Sequence, residues 1–127
     1  MNITHIAIWT ENLEAMKDFY TLYFGGISNK KYTNTLKKYQ SYFISFDNGS
    51  KLELMHKESI IKTLCVEEQL GISHIAFNLG SKDAVLSLTE KLREDGICIV
   101  GEPRTTGDGY FESVLLDVEG NRIELIA

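Results

Sequence analysis

The sequence is poor in several features that define particular classes of protein. Its 127 residues include one proline, one tryptophan and two cysteines, and 13 basic residues are outnumbered by 18 acidic ones, which gives a net charge of −5. Two cysteines are too few for a disulfide framework, and an acidic chain lacks the positive surface that binds nucleic acid. No uncharged apolar run approaches the roughly 18 residues of a membrane span, and the first residues lack the basic region of a signal peptide. These absences favour a cytoplasmic protein with neither nucleic acid nor membrane as its partner.

The chain contains enough hydrophobic residues to form a folded core. They make up 43% of the sequence, and six phenylalanines and six tyrosines are among them. A chain of this length and composition builds one compact domain. Cys98 lies in the apolar run 97–100, so we expect its thiol to be buried and reduced.

An internal repeat organises the chain. The segment 5–8 (His-Ile-Ala-Ile) reappears at 74–77 (His-Ile-Ala-Phe), and the pattern of 49–54 returns at 120–125, where Leu-Glu-Leu is replaced by Ile-Glu-Leu. The repeat predicts one domain made of two modules, 1–57 and 71–127, joined by a connector at 58–70. We expect a short helix over 59–69 within that connector.

Each half predicts a strand, a helix and three further strands, and therefore an α+β fold. The first strands are expected at 3–9 and 72–79, followed by helices with Asn12 and Ser81 as N-caps and with Gly25 and Gly96 at their ends. Gly and Asn at 47–49 and 119–121 are typical of hairpin turns. The remaining strands are expected at 39–46, 51–55, 97–100, 110–116 and 122–126, with a weaker one at 28–32.

Strand alternation places two histidines and two glutamates on the faces opposite the helices. Leu-Glu-Leu and Ile-Glu-Leu turn their apolar residues towards the helix, so Glu53 and Glu124 face the other way, as do His5 and His74. Any one of these residues alone has an ordinary structural explanation. Four at matched positions favour a site for one divalent metal, with Zn²⁺ or Ni²⁺ as first candidates and Fe²⁺ or Mn²⁺ as alternatives. His56 has the opposite parity and is expected to be an ordinary surface residue.

These residues resemble the vicinal oxygen chelate superfamily, which includes glyoxalase I, bleomycin and fosfomycin resistance proteins, epimerases and extradiol dioxygenases. The closing segment 117–125 (Asp-Val-Glu-Gly-Asn-Arg-Ile-Glu-Leu) is similar to that superfamily's Asp-Pro-x-Gly-Asn-x-Ile-Glu-Leu motif. The resemblance covers essentially the whole chain. It implies two paired βαβββ modules that form an open, barrel-like curved sheet with helices on the outside.

The ligand order His, Glu, His, Glu resembles glyoxalase I, or lactoylglutathione lyase, most closely. That resemblance implies a metal-dependent lyase or isomerase that removes a proton beside a metal-chelated carbonyl, for example converting the hemithioacetal of a 2-oxoaldehyde to a thioester. It favours Glu124 as the catalytic base and Glu53 as its symmetry-related counterpart. Trp9 and Lys57 replace the Arg and Asn that typically serve glutathione, and this departure leaves open a substrate with a different thiol or with none.

Three further expectations concern the substrate, the assembly and the alternatives. We expect substrate contacts from Trp9 and Asn78, and from Arg104 and Tyr110 in a predicted loop at 101–110 that either covers the cavity or is an ordinary surface connection. Glyoxalase-type relatives close their sites across a homodimer, so the resemblance also predicts one, with the site either within one chain or shared. The alternatives are a thiol transferase or epimerase on the same scaffold, and a drug-binding protein without catalysis.

Overall fold

The computed structural model of the protein describes residues 2–62, 70–107 and 109–127. The chain divides into two compact units, Met1–Thr63 and Leu64–Ala127. Each unit has an open sheet with one helix against it, which confirms the α+β class predicted from the repeat. Within the described ranges, no helix has the length and apolarity needed to cross a membrane.

Unit 1 contains a five-stranded sheet. Its elements are β1 (Ile6–Trp9), α1 (Leu13–Phe24), β2 (Ile27–Ser28), β3 (Tyr32–Asn34), β4 (Tyr39–Ser45) and β5 (Lys51–Lys57). The strand order is β1-β5-β4-β2, and β3 also pairs with β4. The first and last strands, β1 and β5, run parallel, whereas β4 and β5 form the predicted antiparallel hairpin.

Unit 2 repeats this topology with four strands. Its elements are β6 (Ile75–Asn78), α2 (Lys82–Glu94), β7 (Ile99–Thr105), β8 (Phe111–Leu116) and β9 (Arg122–Ile126). The order β6-β9-β8-β7 again places the first strand parallel to the last. The hairpin of β8 and β9 is antiparallel, as predicted.

Both helices begin and end where the sequence predicts. The Asn12 side chain accepts a 3.1 Å hydrogen bond from the Ala15 amide, and the Ser81 side chain accepts a 3.2 Å hydrogen bond from the Ala84 amide. Both predicted N-caps are therefore confirmed. Gly25 and Gly96 have φ angles of +64° and +82°, the left-handed conformation that glycine adopts most easily.

Each helix packs on one face of its own sheet. In unit 1, the Tyr20 side chain of α1 is fully buried, together with Ile44 and Leu54 of the sheet. The repeat position of Tyr20 in unit 2 is Thr89, whose hydroxyl donates to the Val85 carbonyl and shares a 2.7 Å hydrogen bond with Ser113. Both hydroxyls are buried, so this pairing satisfies polar groups that would otherwise cost stability.

Two strand predictions are wrong. The weaker strand expected at 28–32 is two shorter strands, β2 and β3, on either side of the dilysine Lys30-Lys31. The first half of the loop expected at 101–110 is strand, because β7 extends to Thr105. Gly101 and Pro103 suggested a loop, but β7 is an edge strand with register shifts, where both residues are tolerated.

Three local predictions have other outcomes. Cys98 is exposed rather than buried, because Ile97 and Ile99 on either side of it are the residues that turn inward. His56 is not an ordinary surface residue, since it is partly buried and its Nδ1 lies 2.9 Å from the Thr10 carbonyl oxygen. Most of the helix expected over 59–69 lies outside the described residues, and its described part, 59–62, is not helical.

Candidate metal centre

Unit 1 brings the first predicted histidine to the first predicted glutamate. Glu53 lies in β5 opposite Ala7 of β1, and His5 directly precedes β1. The His5 Nε2 is 3.7 Å from the Glu53 Oε2. The glutamate side chain is only 17% exposed, whereas the imidazole is 41% exposed. Both groups lie on the face of the sheet opposite α1.

Unit 2 builds the same pair at the equivalent positions. Glu124 of β9 lies opposite Ala76 of β6, and His74 directly precedes β6. The His74 Nε2 is 3.2 Å from the Glu124 Oε2, and the two side chains are exposed to nearly the same extent as their counterparts in unit 1. Strand parity, applied to each half of the sequence, predicts that the histidine and the glutamate share the open face, as both units show.

The parallel pairing of first and last strands is the reason that these residues meet. Leu52 and Leu54 turn towards α1 and are buried, so Glu53 between them points to the open face. Ile123 and Leu125 have the same effect on Glu124. Ala7 and Ala76 lie opposite the two glutamates, and each follows its histidine by two positions on the same strand face.

Hydroxyl groups contact the far nitrogen of both histidines. The Thr4 hydroxyl lies 3.1 Å from His5 Nδ1, and the Ser73 hydroxyl lies 3.3 Å from His74 Nδ1. A partner on one ring nitrogen orients the imidazole, and this arrangement is usual around metal-binding histidines. In both units the Nε2 is therefore directed at the carboxylate. Neutral imidazole nitrogen and carboxylate oxygen are the donors that Zn²⁺ and Ni²⁺ accept, so the chemistry of each pair fits a divalent metal.

Each pair supplies two ligands, and the two pairs belong to different units. Across residues 2–62, 70–107 and 109–127, no three His, Cys, Asp or Glu side chains form a group that could hold a metal ion. Each unit is thus one half of the predicted four-ligand set.

Tyr39 is a residue of unit 1 that the sequence reasoning missed. Its hydroxyl donates a 3.0 Å hydrogen bond to the Glu53 Oε1. Burial, and to a lesser degree this contact with Glu53, raise the pKa of the Tyr39 phenol, so it remains a donor at neutral pH. The strand register places Tyr39 on the same face of β4 as Phe43, the residue opposite Glu53, and no local sequence pattern specifies this register.

Two further aromatic rings surround Tyr39. The ring centroids of Trp9 and Tyr32 lie 6.2 Å and 6.1 Å from that of Tyr39, in edge-to-face arrangements. Both outer rings are about half exposed. Trp9 therefore lies where the sequence predicts, on the open face of unit 1 near Glu53, and it belongs to a cluster of three aromatic residues.

The other predicted substrate contacts belong to unit 2. Asn78 occupies the same face of β6 as His74, but its side chain accepts a 2.7 Å hydrogen bond from the Gly80 amide. Arg104 lies in β7 and its Nη2 is 3.2 Å from the Glu112 Oε1. Tyr110 is exposed, and its backbone is held in a turn by Thr106. None of the three touches His74 or Glu124 among the hydrogen bonds and ion pairs of the described residues.

The turn before β9 fixes the start of the strand that carries Glu124. Asp117 is almost fully buried, and its Oδ1 accepts hydrogen bonds from the amides of Glu119 and Asn121 at 3.0 Å and 2.9 Å. Its Oδ2 accepts a third, 2.8 Å bond from the Asn121 side chain. The Asp and Asn of the closing motif therefore have a structural role in this turn.

We expect Asp117→Ala to destabilise unit 2 by about 1–3 kcal/mol, because it leaves these three donors without their acceptor. Urea unfolding of the parent protein and of Asp117→Ala measures the difference in the free energy of unfolding. Asp47→Ala is the matched control in the unit 1 hairpin, where the aspartate is exposed, and its effect should stay within about 0.5 kcal/mol. Equal losses from the two variants would contradict the role given to Asp117.

Relatives of known structure share this fold. A glyoxalase family protein from Enterococcus faecalis is 24% identical, with a TM-score of 0.81 over 99% of this chain and 97% of that one. The trypanothione-dependent glyoxalase I of Leishmania major is 22% identical, with a TM-score of 0.78 over 99% of this chain and 86% of that one. The V278E mutant of glyoxalase I from Zea mays is 24% identical, with a TM-score of 0.78 over 97% of this chain. This chain spans 43% of the maize chain. At these identities the likeness is one of fold.

The sequence also matches a family and a curated relative over nearly its full length. The uncharacterized protein YqjT of Bacillus subtilis (strain 168) is 25% identical over 131 residues, which cover 97% of this chain and 96% of that protein. The sequence model of the Glyoxalase/Bleomycin resistance protein/Dioxygenase superfamily matches residues 2–125. The chain belongs to this superfamily, as the closing motif and the repeated His and Glu predict.

Proposed function

We propose that the protein is a metal-dependent lyase or isomerase of glyoxalase type. The observation that carries the proposal is the duplicated pair: each unit directs a histidine Nε2 at a glutamate Oε2 on its open sheet face. Two such pairs supply the four ligands of one divalent ion, with His5 and Glu53 from one half and His74 and Glu124 from the other. The homodimer belongs to the same proposal, with the two halves meeting within one chain or between two. A cytoplasmic location is also part of it.

A bound divalent ion would supply Lewis acidity to neighbouring oxygens of a substrate. His5 and His74 are oriented to bind such an ion through Nε2, because the Thr4 and Ser73 hydroxyls contact their Nδ1 atoms. The Glu124 carboxylate accepts the proton that leaves the carbon beside the substrate carbonyl. Its partial burial limits the water that competes for the carboxylate oxygens.

The exposed aromatic rings favour a substrate with an apolar portion. About half of the surface of Trp9 and of Tyr32 is exposed on the open face of unit 1. Both rings lie next to Tyr39, which donates a hydrogen bond to Glu53. Rings at such positions bind apolar groups more readily than the charged ends of a peptide thiol. The same rings would serve the alternative of a drug-binding protein without catalysis. A thiol transferase or an epimerase on the same metal site is the remaining alternative.

A metal and activity screen tests the proposal. Protein loaded with Ni²⁺ or Zn²⁺ is assayed with methylglyoxal and several thiols, and thioester formation is followed by absorbance. We expect stoichiometric metal by elemental analysis and product with at least one thiol. The His74→Ala variant should lose both the bound metal and thioester formation. Failure to retain any metal after incubation with Zn²⁺ or Ni²⁺ would overturn the proposal and favour the drug-binding alternative.

Light scattering tests the assembly. A mass of twice 14.4 kDa is expected for the metal-loaded protein. An active, metal-loaded monomer would contradict a site shared between two chains.

A further inference from the structure

We propose that Tyr39 is a positioning residue that fixes Glu53 as a metal ligand and thereby makes the two carboxylates of the site unequal. The inference rests on the proposed function, because it concerns the same four side chains. It assigns a role to a residue outside that ligand set.

The two oxygens of Glu53 have different partners. Tyr39 donates its hydroxyl hydrogen to Oε1 at 3.0 Å, whereas the His5 Nε2 lies 3.7 Å from Oε2. One oxygen is therefore occupied by a neutral donor, and the other is left on the side of the histidine. A carboxylate held in this way presents a single oxygen in a fixed direction, which suits a ligand that binds through one atom.

The surroundings of Tyr39 fix its own position. It is the first residue of β4 and pairs with Lys57 across the sheet. The Trp9 and Tyr32 rings pack edge to face against its ring from β1 and β3. Three strands thus restrain the phenol, and the direction of its hydroxyl follows from the sheet and does not depend on a flexible loop.

Unit 2 carries a tyrosine at the equivalent repeat position without the equivalent contact. Tyr110 lies 71 positions after Tyr39, the same separation that relates Glu124 to Glu53. Strand β8 begins only at Phe111, and Tyr110 is in the preceding turn with its side chain exposed. Among the described residues, its hydroxyl makes no hydrogen bond to Glu124, whose Oε1 is likewise without one.

The difference separates the tasks of the two carboxylates. Glu53 has one oxygen committed to Tyr39 and acts as a ligand, whereas Glu124 keeps an oxygen that can accept a proton. The duplicated fold supplies two nearly identical pairs, and one phenol in one unit removes the equivalence.

The Tyr39→Phe variant tests this role, because it removes the hydroxyl and keeps the ring. Its affinity for Co²⁺, titrated by the visible absorption of the bound ion, should fall about 10- to 100-fold, which is the usual effect of losing a contact that orients a metal ligand. The Co²⁺ spectrum should also change, since the ligand that Tyr39 holds is altered. Tyr110→Phe is the matched control and should bind Co²⁺ like the parent.

Turnover at saturating metal distinguishes positioning from direct chemistry. We expect Tyr39→Phe to keep turnover within about tenfold of the parent once its site is filled, because Glu124 carries the proton. Circular dichroism and the thermal midpoint of the metal-free variants report whether the fold is retained. Equal Co²⁺ affinity for the parent and Tyr39→Phe would overturn the inference and leave the proposed function intact. A parent protein that binds no Co²⁺ would overturn both.

Discussion

Glu124→Gln is expected to lower turnover by about 10²- to 10⁴-fold, the usual contribution of a positioned base, while the fold is retained. Glutamine has the same shape and still accepts hydrogen bonds, but its amide cannot take up the substrate proton at neutral pH. The His74 Nε2, 3.2 Å from the Glu124 Oε2, would face the amide instead. The substrate is the one found by the thiol screen, and kcat is measured at saturating metal so that weaker metal binding does not lower it.

The Glu102→Gln variant is the control for this experiment. Glu102 lies in β7, is well exposed and pairs with Arg93 of α2, away from the proposed ligands. Its kcat should equal that of the parent. Full activity of Glu124→Gln would show that another group is the base. Loss of the folded circular dichroism signal would instead show that the substitution acts through stability.

The second large effect is expected in the core of unit 1. Leu54→Ala should lower the free energy of unfolding by about 2–5 kcal/mol, the usual cost of a buried leucine truncated to alanine. Leu54 is fully buried, pairs with Ile8 and Tyr42 on the two neighbouring strands, and directly follows Glu53. Its loss leaves a cavity beneath α1. Urea denaturation followed by circular dichroism measures the change.

Leu36→Ala provides a matched comparison. Leu36 is 97% exposed in the turn between β3 and β4, so the same truncation removes almost no buried surface. The free energy of unfolding should change by less than about 0.5 kcal/mol. A similar loss from the two leucine variants would mean that the helix-facing side of β5 is not the core of unit 1.

Strand alternation and the repeat were sufficient to predict the sheet face on which each histidine and each glutamate lies. An apolar residue on each side of Glu53 and Glu124 determines which way the carboxylates point, and this information is local. The contact of His5 with Glu53 also depends on the parallel pairing of β1 with β5, which the sequence analysis did not predict. The same reasoning in each half predicted both helices, their N-caps and both hairpins, and the structure confirms them.

Features that depend on contacts between strands could not be predicted in this way. The hydrogen bond from Tyr39 to Glu53 requires the register of β4 against β5, which no local pattern in 39–45 specifies. Cys98 appears apolar in its sequence context but occupies an exposed position beside an edge strand. Strand β7 contains Gly101 and Pro103, and only its place at the edge of the sheet makes these residues compatible with a strand.

The parallel contact between the first and last strands of each unit has a consequence for folding kinetics. Ile6 pairs with Leu52, and Ile75 pairs with Ile123, so each unit closes a loop of more than 40 residues when these strands meet. Such distant contacts form after local helices and hairpins, because the entropy of loop closure must be overcome first. Each histidine therefore reaches its glutamate only when its unit is nearly complete. In a partly folded chain the two His–Glu pairs are therefore absent, and they form in the last steps of folding.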